Sequence, residues 1–283
     1  MKRYRILQFD FDSRANLLSL ELGEGCDDTQ RLANEERKES IRAGLLQEYG
    51  TLGAEQKLRN FVELGPKPLS ILAFHNAFSQ QVRHAFVVGA YYPALTGACA
   101  LGERILNHLV LLLRKHYKHT AEYKSVARKQ SFDNWKTAIQ ALEAWRVLLP
   151  EAAAAFRELE SIRNRAIHFD PAVDSDDRQR ALEAIAALDA IIASQFAAFF
   201  SSHWFIPDIP GAAYIRKELE AEPFVKEVYL PNALLLGPRA TVGLNHDHVT
   251  VDDPDALSIE AISDDAFRQL VLLHRASLVA GDA

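Results

Sequence analysis

The chain has 283 residues, 48% of them hydrophobic and 25% charged. These are the proportions of a globular protein with a full core, and they exclude a disordered or low-complexity chain. A net charge of −6 excludes a protein that coats nucleic acid non-specifically but leaves room for a local basic patch, and the two cysteines, Cys26 and Cys99, exclude a disulfide framework and suit a reducing cytoplasm.

Residues 4–11 alternate, with Tyr4, Ile6, Gln8 and Asp10 opposing Arg5, Leu7, Phe9 and Phe11. A turn at 12–16 and a second extended run at 17–22 complete a predicted hairpin. The basic start, Met1 to Arg5, has the charge of a signal peptide, but no apolar segment follows it. Residues 28–49 are rich in charges and helix formers and predict an exposed amphipathic helix closed by Gly50. A short helix is expected at 54–63. Gly65-Pro66-Lys67-Pro68 then breaks the chain and marks a boundary.

From about 69 to about 202 the pattern is helical throughout. Helices are expected near 69–87, 92–117 and 131–148. The next opens at Pro150 and ends before Pro171, and a fifth covers roughly 175–200 with its cap in Asp174-Ser175-Asp176. The 18 residues from Ala85 to Gly102 carry no charge, a length that reaches the membrane threshold. Their glycines, Pro93 and the following Glu103-Arg104 favour instead a helix buried on all sides of a soluble core. No membrane contact is expected. Beyond Trp204, strands are expected at 227–230, 233–236 and 249–251, and a last helix at 264–279.

Chemistry concentrates at Arg163-Asn164-Arg165-Ala166-Ile167-His168. At about 100° per residue, Asn164 and His168 share a helix face, whereas Arg163 lies roughly 140° around from His168. Joint action needs an arginine that reaches round, a distorted helix end, or a second copy of the helix from a symmetry-related subunit. RNA cleavage by an internal 2′-hydroxyl suits these types. Histidine moves protons near neutral pH, and a guanidinium meets the charge of the transition state. The same spacing also fits a charged helix end in which the cations complement the helix dipole.

An Arg, a polar residue and a His at this spacing, inside a run of helices, resemble the HEPN superfamily over roughly 69–202. The buried helix Gly89 to Leu106 has that family's style too. The resemblance implies a mainly α fold with a HEPN-like helical bundle core at 66–205; it does not explain the flanks, where the residue pattern predicts an N-terminal β-hairpin and helical extension at 1–65 and a C-terminal α+β extension at 206–283. It implies a metal-independent endoribonuclease without cofactor, acting as a homodimer on RNA in the cytoplasm, in a toxin or antiviral-defence setting with an antitoxin or regulatory protein as partner. Arg163, Asn164 and His168 take the catalytic roles. Some family members are non-catalytic, so an adaptor that binds a partner protein or nucleic acid is the alternative. In the branch regulated by tyrosine modification, a Tyr stands two residues after the His. Asp170 takes that place here.

Arg114, Lys115, Lys118, Lys124, Arg128 and Lys129 form a basic segment opposed by Glu122 alone, interleaved with Tyr117 and Tyr123. It is the candidate RNA-binding surface; a solvated helix end and loop is the other reading. His246-Asp247-His248 lacks a third metal ligand, and no metal is assigned. Glu103-Arg104 is a candidate buried pair, left outside the site. Trp135, Trp145 and Trp204 are expected as core or interface anchors.

Overall fold

The computed structural model describes residues 1–7, 9–70, 73–167, 176–196, 203–245 and 248–281. In chain order it contains β1 (Arg3–Ile6), β2 (Asp10–Asp12), α1 (Arg14–Ser19), α2 (Asp28–Tyr49), α3 (Ala54–Leu64), β3 (Lys67–Ser70), α4 (Ala73–Val87), α5 (Tyr91–Leu113), α6 (Tyr123–Val126), α7 (Trp135–Ala144), α8 (Pro150–Ile167), α9 (Asp177–Phe196), β4 (Ala213–Tyr214), β5 (Ala233–Leu236), β6 (Thr241–Asn245), β7 (His248–Asp252) and α10 (Asp264–Gly281). The fold is mainly α. It divides into a helical unit, 10–196, and a second unit that joins 1–9 to 197–283.

In the helical unit, α5 is the central element, with α4, α7, α8 and α9 packed along it. Its apolar run therefore meets protein on several sides, each fully buried aliphatic side chain contributing about 1.5–3 kcal/mol. Among the described residues no helix is long and apolar enough to cross a membrane. Gly102 permits the tightest approach. A Cβ there would stand 2.6 Å from Leu159 Cδ2 of α8 and 2.9 Å from Trp135 Cη2 of α7. The Arg163 helix is thus seated against α5 by an absent side chain.

Local signals set several boundaries. The Asp27 side chain accepts from the Gln30 N–H at 2.7 Å while Gln30 accepts from the Asp27 N–H, a capping box that starts α2. Gly50, at φ +81°, ends it. Asn134 caps α7 through the Thr137 N–H.

Two expectations change. The N-terminal hairpin does not form: of the second predicted strand, 17–22, the first half closes α1 and the rest is irregular. Asp12 accepts from the Arg14 N–H at 2.9 Å, and α1 buries Ala15 and packs Leu18 against Leu45, Tyr49, Phe61 and Val87. That helical-face burial outweighs the strand propensity of a short apolar run. β1 pairs instead with β4 and β5 in a three-stranded sheet of order β4-β1-β5, and β2 pairs with β3. Finally, 227–230 is helical, within turns spanning Val225–Tyr229 and Leu230–Asn232. Phe224, Val225, Val228 and Tyr229 are buried there at helical, not alternating, spacing.

α4 carries a polar seam. His75, Ser79 and Arg83, four residues apart, are all buried. Arg83 meets Asp189 of α9 at 2.6 Å. Burial nevertheless pushes the Asp189 carboxyl up to about 6, against the opposing pull of Arg83.

Candidate active site

Arg163 lies just before the last turn of α8 and faces α5 and α7. Its Nη2 stands 3.1 Å from Glu103 Oε2, and its guanidinium carbon 5.8 Å from the centre of the Trp135 ring. Trp135 Nε1 donates to that same Glu103 oxygen at 3.2 Å. One carboxylate therefore orients both the guanidinium and the indole on which it rests. The pair is partly open, with 22% of the Arg163 side chain and 33% of Glu103 exposed. Cys99, one turn before Glu103, is also near. Burial pushes its thiol up to about 11, and the Arg163 charge pulls in the opposite direction. An unreactive core thiol is the consequence.

α5 and the segment entering α7 are tied together beside this group. Asn107 accepts from the Phe132 N–H at 2.7 Å and donates to the Glu103 carbonyl at 2.8 Å. Trp135 is wholly buried, and its ring meets Phe156 edge-on at 6.4 Å between centres. The platform under Arg163 is therefore rigid core rather than loop.

Asn164 takes the adjacent, exposed position and accepts weakly from Arg163 Nη1 at 3.4 Å. It lines an open groove of about 460 Å³ between α7 and α8, together with Lys136, Ile139, Gln140, Arg157, Glu160 and Ser161. Arg157 is ion-paired with Glu143. His168, Asp170 and Pro171 lie outside the described residues, as do Asp174 and Ser175 of the expected cap and His246 and Asp247. Among the described residues no group of three or more His, Cys, Asp or Glu is placed to hold a metal ion.

The basic segment folds back on itself. Arg114 Nη1 donates to the carbonyls of Val126 and Lys129 at 2.9 and 2.6 Å, so its guanidinium clamps the loop. Tyr117 stacks on Trp145 at 4.7 Å between centres, and Trp145 Nε1 donates to Thr120. That stack anchors the segment to the end of α7. Lys115, Lys118, Lys124, Arg128 and Lys129 are exposed. Trp135, Trp145 and Trp204 are all buried, as anchors should be.

Sequence reasoning set Glu103 aside, and geometry brings it to Arg163. Its signal was a charge immediately after an 18-residue uncharged run. Arg104, the other half of the expected pair, instead lies over the Phe78 ring at 4.9 Å. Reasoning also missed a histidine pair: His75 Nε2 and His108 Nδ1 stand 3.3 Å apart with stacked rings. Burial, then His108 and Arg104, bring His75 down to about 3, and burial with Arg104 lowers His108 as well. Both rings are held toward the neutral form, which suits a packed seam better than a proton donor at neutral pH.

Compared with protein-family models, with curated proteins and with solved structures, the chain matches none.

Proposed function

We propose that the chain is a metal-independent endoribonuclease of HEPN type, acting as a homodimer on RNA in a toxin or antiviral-defence role. The observation that carries this reading is Arg163: a guanidinium fixed on a buried indole by Glu103, five residues before His168 in sequence, inside a helical unit. In this scheme His168 takes the proton from the 2′-hydroxyl as its oxygen attacks phosphorus. The leaving 5′-oxygen takes a proton from the second His168 of the dimer. Arg163 neutralises the charge gathering on the phosphoryl oxygens, and Asn164 orients the phosphate. The groove at Asn164 supports the reading, because Lys136 and the amide of Gln140 line it beside the motif.

The test is cleavage of RNA by purified protein with and without a chelator. Activity unchanged by chelator and lost in His168→Ala is expected; cleavage that survives His168→Ala would sink the assignment. One observation favours a second reading, a non-catalytic HEPN-like adaptor: Glu103 already neutralises Arg163, as it would a purely structural arginine. The adaptor binds RNA or a partner protein without cutting, and tolerates Arg163→Gln in that binding.

A further inference from the structure

We propose that the C-terminal unit holds the phosphate group of a small molecule between Arg5, Tyr214 and Arg275. Two arginines lie on one face of β1. Arg3 and Arg5 stand two residues apart in an extended strand, so both point to the face covered by α10. Arg3 is buried and complete. Its Nε meets Asp264 at 2.6 Å, Nη1 donates to the Lys2 carbonyl and Nη2 to the Ile262 carbonyl. Arg5 has no such set. Its Nε is buried and has no acceptor among the described residues.

The neighbours of Arg5 add positive charge where Arg3 has a carboxylate. Arg5 pairs in register with Tyr214, and its guanidinium carbon lies 5.5 Å from that ring's centre. Tyr214 packs edge-on against Phe267 of α10 at 4.9 Å and shares a core cluster with Val271. Arg275 follows Val271 by one turn on the same stripe and donates to the Pro210 carbonyl. Burial and the charge of Arg5 both lower the Arg275 pKa, so the two guanidiniums feel each other. His274, beside it, has a buried Nε2 with no partner among the described residues. Asp253 comes near enough to act on Tyr214. Its oxygens, however, accept from the Gly237 and Asp255 N–H groups.

Two like charges meeting in a partly buried place cost stability unless an anion joins them. Two guanidinium forks and a phenol balance a dianion, and their donor geometry fits phosphate oxygens. A monocarboxylate leaves one charge unmatched.

Inorganic phosphate is the probe, added to the full chain at constant ionic strength. The 31P signal is expected to broaden, and the melting temperature to rise by several degrees when phosphate reaches about a hundred times its Kd. Arg5→Gln and Arg275→Gln are each expected to weaken phosphate binding at least tenfold, while Arg59→Gln, at an exposed pair with Glu55 in the helical unit, leaves it unchanged. Should Arg5→Gln fail to fold, Arg275→Gln decides alone. Absence of 31P broadening in the wild type, or wild-type affinity in Arg275→Gln, overturns the site. Equal protection by acetate overturns the choice of phosphate.

Discussion

The two units are alike in pairing most of their buried and half-buried arginines with carboxylates, and they differ at Arg5. In the helical unit Arg83 meets Asp189, Arg163 meets Glu103 and Arg178 meets Glu63. In the C-terminal unit Arg3 meets Asp264 and Arg239 meets Asp255, but Arg5 lies over the Tyr214 ring with its buried Nε unpaired among the described residues. The first pattern is what a fold needs when it takes a charge out of water: a partner at hydrogen-bond distance. The second departs from that rule, and departures of this kind point to a ligand rather than to packing. Arg163 stands between the two patterns. It is paired, yet a fifth of its side chain reaches solvent, so it retains donors for a substrate.

Breaking a buried pair should give the largest effect. Asp189→Asn leaves the Arg83 charge buried beside a neutral amide, and urea unfolding at pH 7.5 should show a loss of about 3–5 kcal/mol. A loss below about 1 kcal/mol would mean that Arg83 finds water or another carboxylate, removing the contrast with Arg5.

Acid should weaken the same seam. His75 is held at about 3 against an ordinary 6.5, so the unfolded chain takes up its proton first. Its contribution is present above about pH 6.5 and is lost as pH falls toward about 3, at up to about 1.4 kcal/mol per pH unit. Asp189, raised to about 6, acts with the opposite sign: its contribution is present below about 3.8 and lost as pH rises through 6. The two partly cancel between those values. His75→Gln should therefore lose less stability than the wild type between pH 7 and 4.5 in urea titrations. An identical pH dependence for the two proteins would show that His75 is not the group involved.

Gly102→Ala should cost about 1–3 kcal/mol, since Leu159 and Trp135 must both move. The unfolding midpoint measures this. Because the shift also displaces the Arg163 platform, RNA cleavage should fall together with stability. Glu103→Gln separates the two effects. The amide oxygen still accepts from Trp135, but the charge that holds Arg163 is gone. Cleavage is expected to drop roughly tenfold, with less than about 1 kcal/mol of stability lost from this partly exposed pair. Cleavage at the wild-type rate in Glu103→Gln would make Arg163 independent of its partner and favour the adaptor reading. The smallest effect belongs to Arg59→Gln, in a pair with Glu55 that is exposed on both sides, whose removal should leave the melting temperature almost unchanged.

The motif helix and its companions were legible in outline. The helical periods of α2, α3, α5, α8, α9 and α10 and the breaks at Gly50 and Pro150 reflect interactions within a few residues. Arg163 and Asn164 could be singled out by type and spacing. What they touch could not, because Glu103 is 60 positions away and nothing local ties it to either residue. The His75–His108 contact was equally hidden, as histidines on an apolar helix face leave no mark beyond their spacing.

By itself, then, the sequence determined a mainly helical chain, the ends of its longer helices and the residue types available for chemistry. These follow from capping, periodicity and the backbone demands of glycine and proline, all of which act locally. Tertiary structure alone decided that 14–19 is a helix, because the Ala15 and Leu18 face finds an apolar cluster to bury in. It alone decided that β1 pairs with strands more than 200 residues away, since a short strand takes whatever complementary edge the packed chain offers. And it alone decided which arginines meet a carboxylate and which do not. Charge pairing is settled by distance in space, and distance in space is what a linear sequence leaves unstated.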